Sequence, residues 1–442
     1  VKPWRCVLPI LLGLATAFAA GAEDRWLAVI GGTVFDGTGA VHTSATVLVK
    51  NDRIEAIGAA EAVPIPDDAE RLDAAGKFVL PGLVDLHFHY DPQKTPWLPL
   101  HFLANGVTTQ REMGRPVELN KKWLADTKAA GLPRPRFLYS GPLLDWIDPA
   151  HPEHTITLLD RLDASRVANE LVDAGATSLK VYFRLPLTLA RVVIEEGHKR
   201  GVPVFAHLEV VDARDMIPLG LDGIEHTTSL GRSLLPSFES EVYRQEVLKE
   251  NAARHPGRFR VWAQVDPSGP EADALIRLML KHQVNLDATL AVFEPRRGTA
   301  DREEQWKAVA NMATFTVRYY RAGGSVSIGS HGRVSNAVDG FAYQRELEAH
   351  VEGGMTPSEA LQAATRLGAA ALRLDDRGQI TAGKLADLVI LDADPLENIS
   401  NTTRVRSVIL GGKVLDRQAL FASRPPEPLK PLRTGERRER QP

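Results

Sequence analysis

Between about residues 79 and 375, short apolar runs of strand character alternate with segments of helical spacing. That rhythm belongs to parallel α/β folds and excludes most others. Eight runs are candidate strands: 83–87, 107–112, 137–140, 178–182, 203–207, 223–227, 285–290 and 325–330. Helical patterns at 164–174, 189–200 and 271–282 separate some of them. Eight strands with helices between them, over about 290 residues, match the size of a (β/α)8 TIM barrel. The connection 229–258 is long for one crossover and predicts one inserted helix.

The flanks have a different texture. Leu27-Ala28-Val29-Ile30 runs into Gly31-Gly32, and Arg53-Ile54-Glu55-Ala56-Ile57 stops at Gly58. β-Branched residues punctuated by Gly, Asn and Asp are strand and hairpin signals. The same texture returns at 386–391 and 405–415. The two ends are expected to build one small β-sandwich domain from 23–78 and 376–424, around a barrel at 79–375. The tail 425–442, rich in proline and charge, reads as disordered.

Residues 1–22 read as a secretory signal peptide. Lys2 and Arg5 precede an apolar stretch at 7–20, and Ala20-Gly21-Ala22 offers a small-residue cleavage site. Loss of this segment removes two cations and no acid, moving the formal charge from −3 to −5. That mild acidity argues against a nucleic-acid partner. The single cysteine, Cys6, goes with the leader. No disulfide, catalytic thiolate or cysteine-ligated zinc is then available. The expected location is the periplasm or the medium of a bacterium, with no membrane attachment after cleavage.

Barrel active sites assemble at the C-terminal ends of the strands. Strand one ends in His87-Phe88-His89, where residues two apart share a face and can hold one divalent metal. Strand four carries Lys180, strand five ends at His207, strand six at His226, and strand eight at Ser330-His331. Each alone has a plain alternative as a paired or half-buried polar residue. Their repetition on one rim is how a barrel builds a metal site. His42, His198, His255, His282 and His350 fall on helix or loop patterns and read as surface residues.

The motifs Leu80-Pro81-Gly82-Leu83-Val84-Asp85-Leu86-His87-Phe88-His89, Gly106-Val107-Thr108-Thr109, Leu179-Lys180-Val181-Tyr182, Ala206-His207, Ile224-Glu225-His226 and Gly383-Lys384-Leu385-Ala386-Asp387-Leu388-Val389 occur in this order. Together they resemble the amidohydrolase superfamily, in particular the branch of imidazolonepropionase-like proteins and metal-dependent Xaa-Pro dipeptidases. The resemblance implies a site for two divalent metal ions, often zinc. His87 and His89 would hold one, His207 and His226 the other, and a CO2-derived carbamate on Lys180 would bridge them.

The chain departs from that pattern on strand eight. Gly329-Ser330-His331 stands where the superfamily usually has an aspartate that binds metal and takes a proton. Three readings fit. His331 replaces the aspartate as general base, which an imidazole suits at neutral pH. Alternatively the site binds metal and is catalytically disabled, or a nearby acid such as Asp339 fills the role.

Tyr182 and Arg184 follow Lys180 at alternating spacing and are candidate substrate contacts, with Arg184 or Arg333 suited to a carboxylate. Arg111-Glu112 reads as an internal ion pair. The expected protein is an exported metal-dependent hydrolase that cleaves a C–N amide bond in a dipeptide or N-acyl amino acid by a metal-activated water. Hydrolysis of a cyclic amide, lactone or ester, or a periplasmic metal- or ligand-binding role, are the alternatives. The expected partner is a small-molecule substrate, with a homo-oligomer possible.

Overall fold

The structure, a computed structural model, describes residues 24–299 and 302–424. The expected leader (1–22) and tail (425–442) lie outside the described residues. Five strands open the chain: β1 (Trp26–Phe35), β2 (Val41–Lys50), β3 (Arg53–Ala59), β4 (Glu70–Asp73) and β5 (Phe78–Pro81). The parallel region follows with β6 (Leu83–Phe88), β7 (Val107–Glu112), β8 (Arg136–Tyr139), β9 (Leu143–Asp145), β10 (Thr155–Thr157), β11 (Leu179–Val181), β12 (Val204–Ala206), β13 (Gly223–Glu225), β14 (Asn285–Asp287) and β15 (Ser325–Ser327). β16 (Leu388–Leu391), β17 (Val405–Leu410) and β18 (Lys413–Val414) complete the set.

The two ends do meet, though not as a sandwich of separate sheets. β18-β17-β16-β5-β1-β2-β3 form one sheet, with β4 beside β1. The reason is β5, which pairs parallel with β1 and antiparallel with β16, so both halves share one ladder. The sheet rolls until Arg53 bridges Leu385, enclosing Val29, Val47, Ile54, Leu388 and Ile390 in a common core. β5 thus extends the small domain to Pro81, past the expected boundary at 78.

The middle region is a TIM-barrel-like α/β domain. Its strands lie in two parallel sheets, β10-β9-β11-β12-β13-β14-β15 and β6-β7-β8. Backbone bonds link them at both ends: Thr177 N donates to Tyr139 O at 2.9 Å, and Leu86 N to Ile328 O at 3.1 Å. Every residue of β6 and β7 is buried, as strands covered on both faces require. β11 to β15 are shorter than the apolar runs, and β9 and β10 are additions. The helices stand close to their expected places at Arg161–Asp173, Leu187–Lys199 and Pro270–Lys281. In the first, Asp160 caps Asp163 N, and Ala164, Val167, Ala168 and Leu171 form the buried stripe that period 3.6 demands.

Between β13 and the helix Pro270–Lys281 the chain inserts two helices rather than one, Ser237–Lys249 and Arg254–Gln264, preceded by a 3-10 stretch at Thr227–Leu234. Pro256 does not break the second helix because it sits in the first turn, where its missing N–H costs nothing. The barrel-like domain and the small sheet are joined at Asp387. Its carboxylate accepts from Arg136 Nε at 2.6 Å and Nη2 at 2.9 Å, and its carbonyl from Gly82 N at 2.7 Å.

Candidate active site

His87, His89, Lys180, His207, His226 and His331 come together at the C-terminal mouth of the parallel strands. The His87 ring lies 4.8 Å from His89, 4.5 Å from His226 and 5.1 Å from His331, centroid to centroid. His207 and His226 are 4.7 Å apart. Donor atoms of His87, His89 and His331 all fall within 4.8 Å of one another.

The orientation of His87 is set from behind by a carboxylate. Glu225 Oε2 lies 2.5 Å from His87 Nδ1, whereas Glu112 Oε1 lies 3.5 Å from His89 Nδ1, beyond bonding geometry. The carboxylate behind His87 draws the proton to Nδ1, leaving Nε2 as a lone pair. It faces His89 Nε2 at 3.0 Å, close enough for one cation to lie against both nitrogens. Burial, with Lys180 near both rings and Arg115 near His89, holds both imidazoles well below their ordinary pKa, in the neutral form that ligates metal. His226 and His331 are lowered the same way, and burial takes His207 down to about 4. The donor set therefore fits divalent metal.

Lys180 is 2% exposed, and its amine makes one hydrogen bond, to Met113 O at 3.2 Å. Burial lowers it to about 8, which enriches the neutral amine that can add carbon dioxide. Beneath the histidines lies a buried ionic layer. Arg111 donates through Nη2 to Glu225 Oε1 at 2.7 Å and through Nε to Leu86 O. Asp287 is fully buried, and neither carboxyl oxygen has a hydrogen-bond partner among the described residues; burial and the Glu225 charge raise it well above the carboxylate range. Asp85 accepts from Ser330 N at 2.9 Å and Ser330 Oγ at 2.5 Å, tying strand one to the turn that presents His331.

That turn and its neighbours are strained. His226, Thr289 and His331 have φ of 64°, 47° and 60°, a region uncommon for side-chain-bearing residues and enriched at functional sites. Cross-strand bonds hold two of them: His226 N donates to Asp287 O and His331 N to His87 O, both at 2.7 Å.

Above the cluster opens a cavity of about 510 Å³. Tyr182 lines it, with its ring 4.9 Å from His207. Arg184 is not in its wall: the guanidinium turns away to Asn251 Oδ1 and Val247 O, both at 2.8 Å, and anchors the inserted helices. Arg333 binds Asp339 through two bonds, at 2.8 and 2.6 Å, and neither joins the histidine cluster. Arg111 and Glu112 are both internal but paired elsewhere, since neighbours on a strand face opposite ways. Two histidines read as surface residues are placed otherwise. His350 is fully buried against Glu346 O, and His255 lines the cavity.

The sequence reading missed Glu225, Asp287 and the cationic wall of Arg115, Arg254 and Arg258. Glu225 stood beside His226 in a quoted motif, and alternation assigns them opposite faces. The positive φ at His226 breaks the alternation and lets both face inward.

A polypeptide with metal-ligating histidines at the mouth of a TIM-barrel-like domain, beside a second β domain, belongs to a recognisable class of hydrolases. Residues 78–415 match the amidohydrolase family, and the chain is a member of it. It is 26% identical to imidazolonepropionase of Streptomyces avermitilis over 381 residues, 79% of this chain and 81% of that protein. Among solved structures it resembles one from Bifidobacterium longum described as a candidate prolidase. The TM-score is 0.67 at 25% identity, over 90% of this chain and 98% of that one. A Xaa-Pro dipeptidase with bound methionine in its active site shares the fold, with TM-score 0.67 at 18% identity over 89% and 100% of the two chains. These relationships define a hydrolase acting on C–N bonds.

Proposed function

We propose that this protein is an exported metal-dependent amidohydrolase that cleaves the amide bond of dipeptides or N-acyl amino acids, on a closed eight-stranded barrel. The observation that carries the reading is the pair of Nε2 atoms on His87 and His89, 3.0 Å apart, with the Glu225 carboxylate bonded behind His87. The likeness to the candidate prolidase supports the dipeptide class. The basic and apolar segment at 1–22 supports export.

In this reading His87 and His89 would hold one zinc ion and His207 and His226 a second, with a carbamate on Lys180 as a further ligand. The neutral Lys180 amine forms that carbamate by adding to carbon dioxide with loss of one proton. Bound divalent metal supplies Lewis acidity toward the amide carbonyl and acidifies water at neutral pH. His331 takes the proton from the attacking water and returns it to the amine nitrogen as the C–N bond breaks. Tyr182 closes the cavity wall beside His207 and is placed to contact substrate.

Metal analysis of the purified chain, with hydrolysis of a panel of Xaa-Pro dipeptides and N-acyl amino acids, tests the reading. About two zinc ions per chain are expected, with activity lost on chelation and restored by zinc and bicarbonate. Absence of stoichiometric metal, or full activity after chelation, overturns it. Histidine at 331 favours one second reading, a metal- or ligand-binding protein with a disabled site. Full metal occupancy without turnover of any amide, cyclic amide or lactone selects that alternative.

A further inference from the structure

One wall of the cavity over the metal-ligand cluster is built by a helix inserted after β13. The helix Arg254–Gln264 supplies Arg254, His255, Arg258 and Phe259 to it. Positions 254 and 258, like 255 and 259, are one helical turn apart and share a face, so a single surface of this inserted helix is aimed at the cavity. Both arginines are nine-tenths buried, Arg254 at 5% and Arg258 at 8% exposure. Burying two guanidinium groups on one side of a site is costly unless anions meet them.

The anion available from the protein is insufficient. Glu209 Oε1 accepts from Arg258 Nη2 at 2.8 Å, and the same oxygen lies 3.3 Å from His207 Nε2. Arg258 Nε is buried without a hydrogen-bond partner among the described residues. Among the described residues Arg254 donates only to neutral acceptors, Asn251 O at 2.7 Å and His151 Nε2 at 3.2 Å. The Arg258 guanidinium also stands 5.3 Å from the Phe293 ring, which in turn lies 5.6 Å from His226. Through Glu209 and Phe293 the cationic face is therefore contiguous with His207 and His226.

We propose that the inserted helix forms an anion subsite in which Arg258, assisted by Arg254, receives a carboxylate on the carbon attached to the scissile nitrogen. Phe259 and Phe293 flank an apolar substituent there. Substrate choice then resides in the insertion after β13 rather than in Arg184 or Arg333. The proposal rests on the hydrolase reading only for the meaning of the scissile bond, because anion recognition is separately measurable.

The test compares N-acetyl-L-phenylalanine with N-acetyl-2-phenylethylamine, which has the same amide and phenyl group without the carboxylate. With the purified full chain and its metal, kcat/KM should favour the acid by about 10–100-fold, the worth of a charge-assisted pair, mostly through KM. Calorimetric binding should show the same preference. Arg258→Lys keeps a positive charge beside Glu209 and removes the Nε donor, and Arg254→Gln removes the second cation. Each should narrow the acid-to-neutral ratio toward one, while metal content and melting temperature confirm the fold. Equal binding and turnover of the two compounds in the wild type overturns the subsite. Variants that slow both compounds equally overturn it too, by showing a merely structural role. Tighter binding of the acid without turnover of either compound supports the subsite and counts against the hydrolase reading alone.

Discussion

Which nitrogen of each imidazole carries the proton decides what the histidine cluster can do. Glu225 settles this for His87 while neutralising Arg111, so one side chain orients a ligand and pays for a buried cation. Glu225→Gln should weaken zinc binding about 10–100-fold in a chelator competition. It should also lower stability by about 3–5 kcal/mol in urea unfolding, because Arg111 is left uncompensated. Wild-type affinity in that variant would remove Glu225 from the ligand-orienting role. His331 answers to a different measurement. His331→Ala should keep zinc content near normal and depress turnover by about 10²–10⁴; unchanged turnover would exclude it as the base. The His-Phe-His pair, His207 and His226 were legible because each closes an apolar run, and Lys180 because it interrupts one. Glu225 and Asp287 were not, since a buried acid beside a ligand is indistinguishable in sequence from one on the strand's outer face.

The elements show where backbone conformation overrides pattern. All eight expected strands are present, and the helices between them follow the apolar spacing, because both rest on local periodicity. The turns that aim His226 and His331 do not, since a positive φ depends on cross-strand bonds made by distant residues. Gly332 illustrates the tightness of the last turn. Its φ is 85°, and a Cβ there would collide with the carbonyl oxygen of His89. Gly332→Ala should therefore displace both His331 and His89, cutting zinc occupancy and activity together by at least about tenfold. Normal zinc content and activity in that variant would show that the turn has slack.

Across the whole molecule, stability should depend on pH through histidines the fold keeps neutral. His207 and His350 are held at about 4 by burial, against an ordinary value of 6.5. Between those values the unfolded chain binds protons that the folded one does not. Stability is thus complete above about pH 6.5 and falls as pH drops toward 4, by about 2 kcal/mol per histidine at pH 5. Urea midpoints at pH 7 and 5 should separate accordingly, and less so in His350→Gln; coincident midpoints would contradict the burial argument. The union of the two domains makes another demand. Asp387 is 5% exposed and holds Arg136, Gly82 and Gly411. Asp387→Ala should cost about 1.5–3 kcal/mol in the same unfolding assay and leave zinc content intact. An unchanged midpoint would mean the junction is held elsewhere.

The amino-acid sequence by itself determined the alternation of strands and helices, the pairing of the two chain ends in one β domain, and the set of metal-ligand candidates at the strand ends. These follow from periodicity and from residue chemistry at fixed spacing, which are local properties. Only the tertiary structure decided that a shared strand makes the β domain one rolled sheet. It alone placed Glu225 behind His87, turned Arg184 away from the cavity, and brought Arg254 and Arg258 into its wall. Those outcomes depend on contacts between residues far apart in the chain, and spacing along a strand or helix carries no record of them.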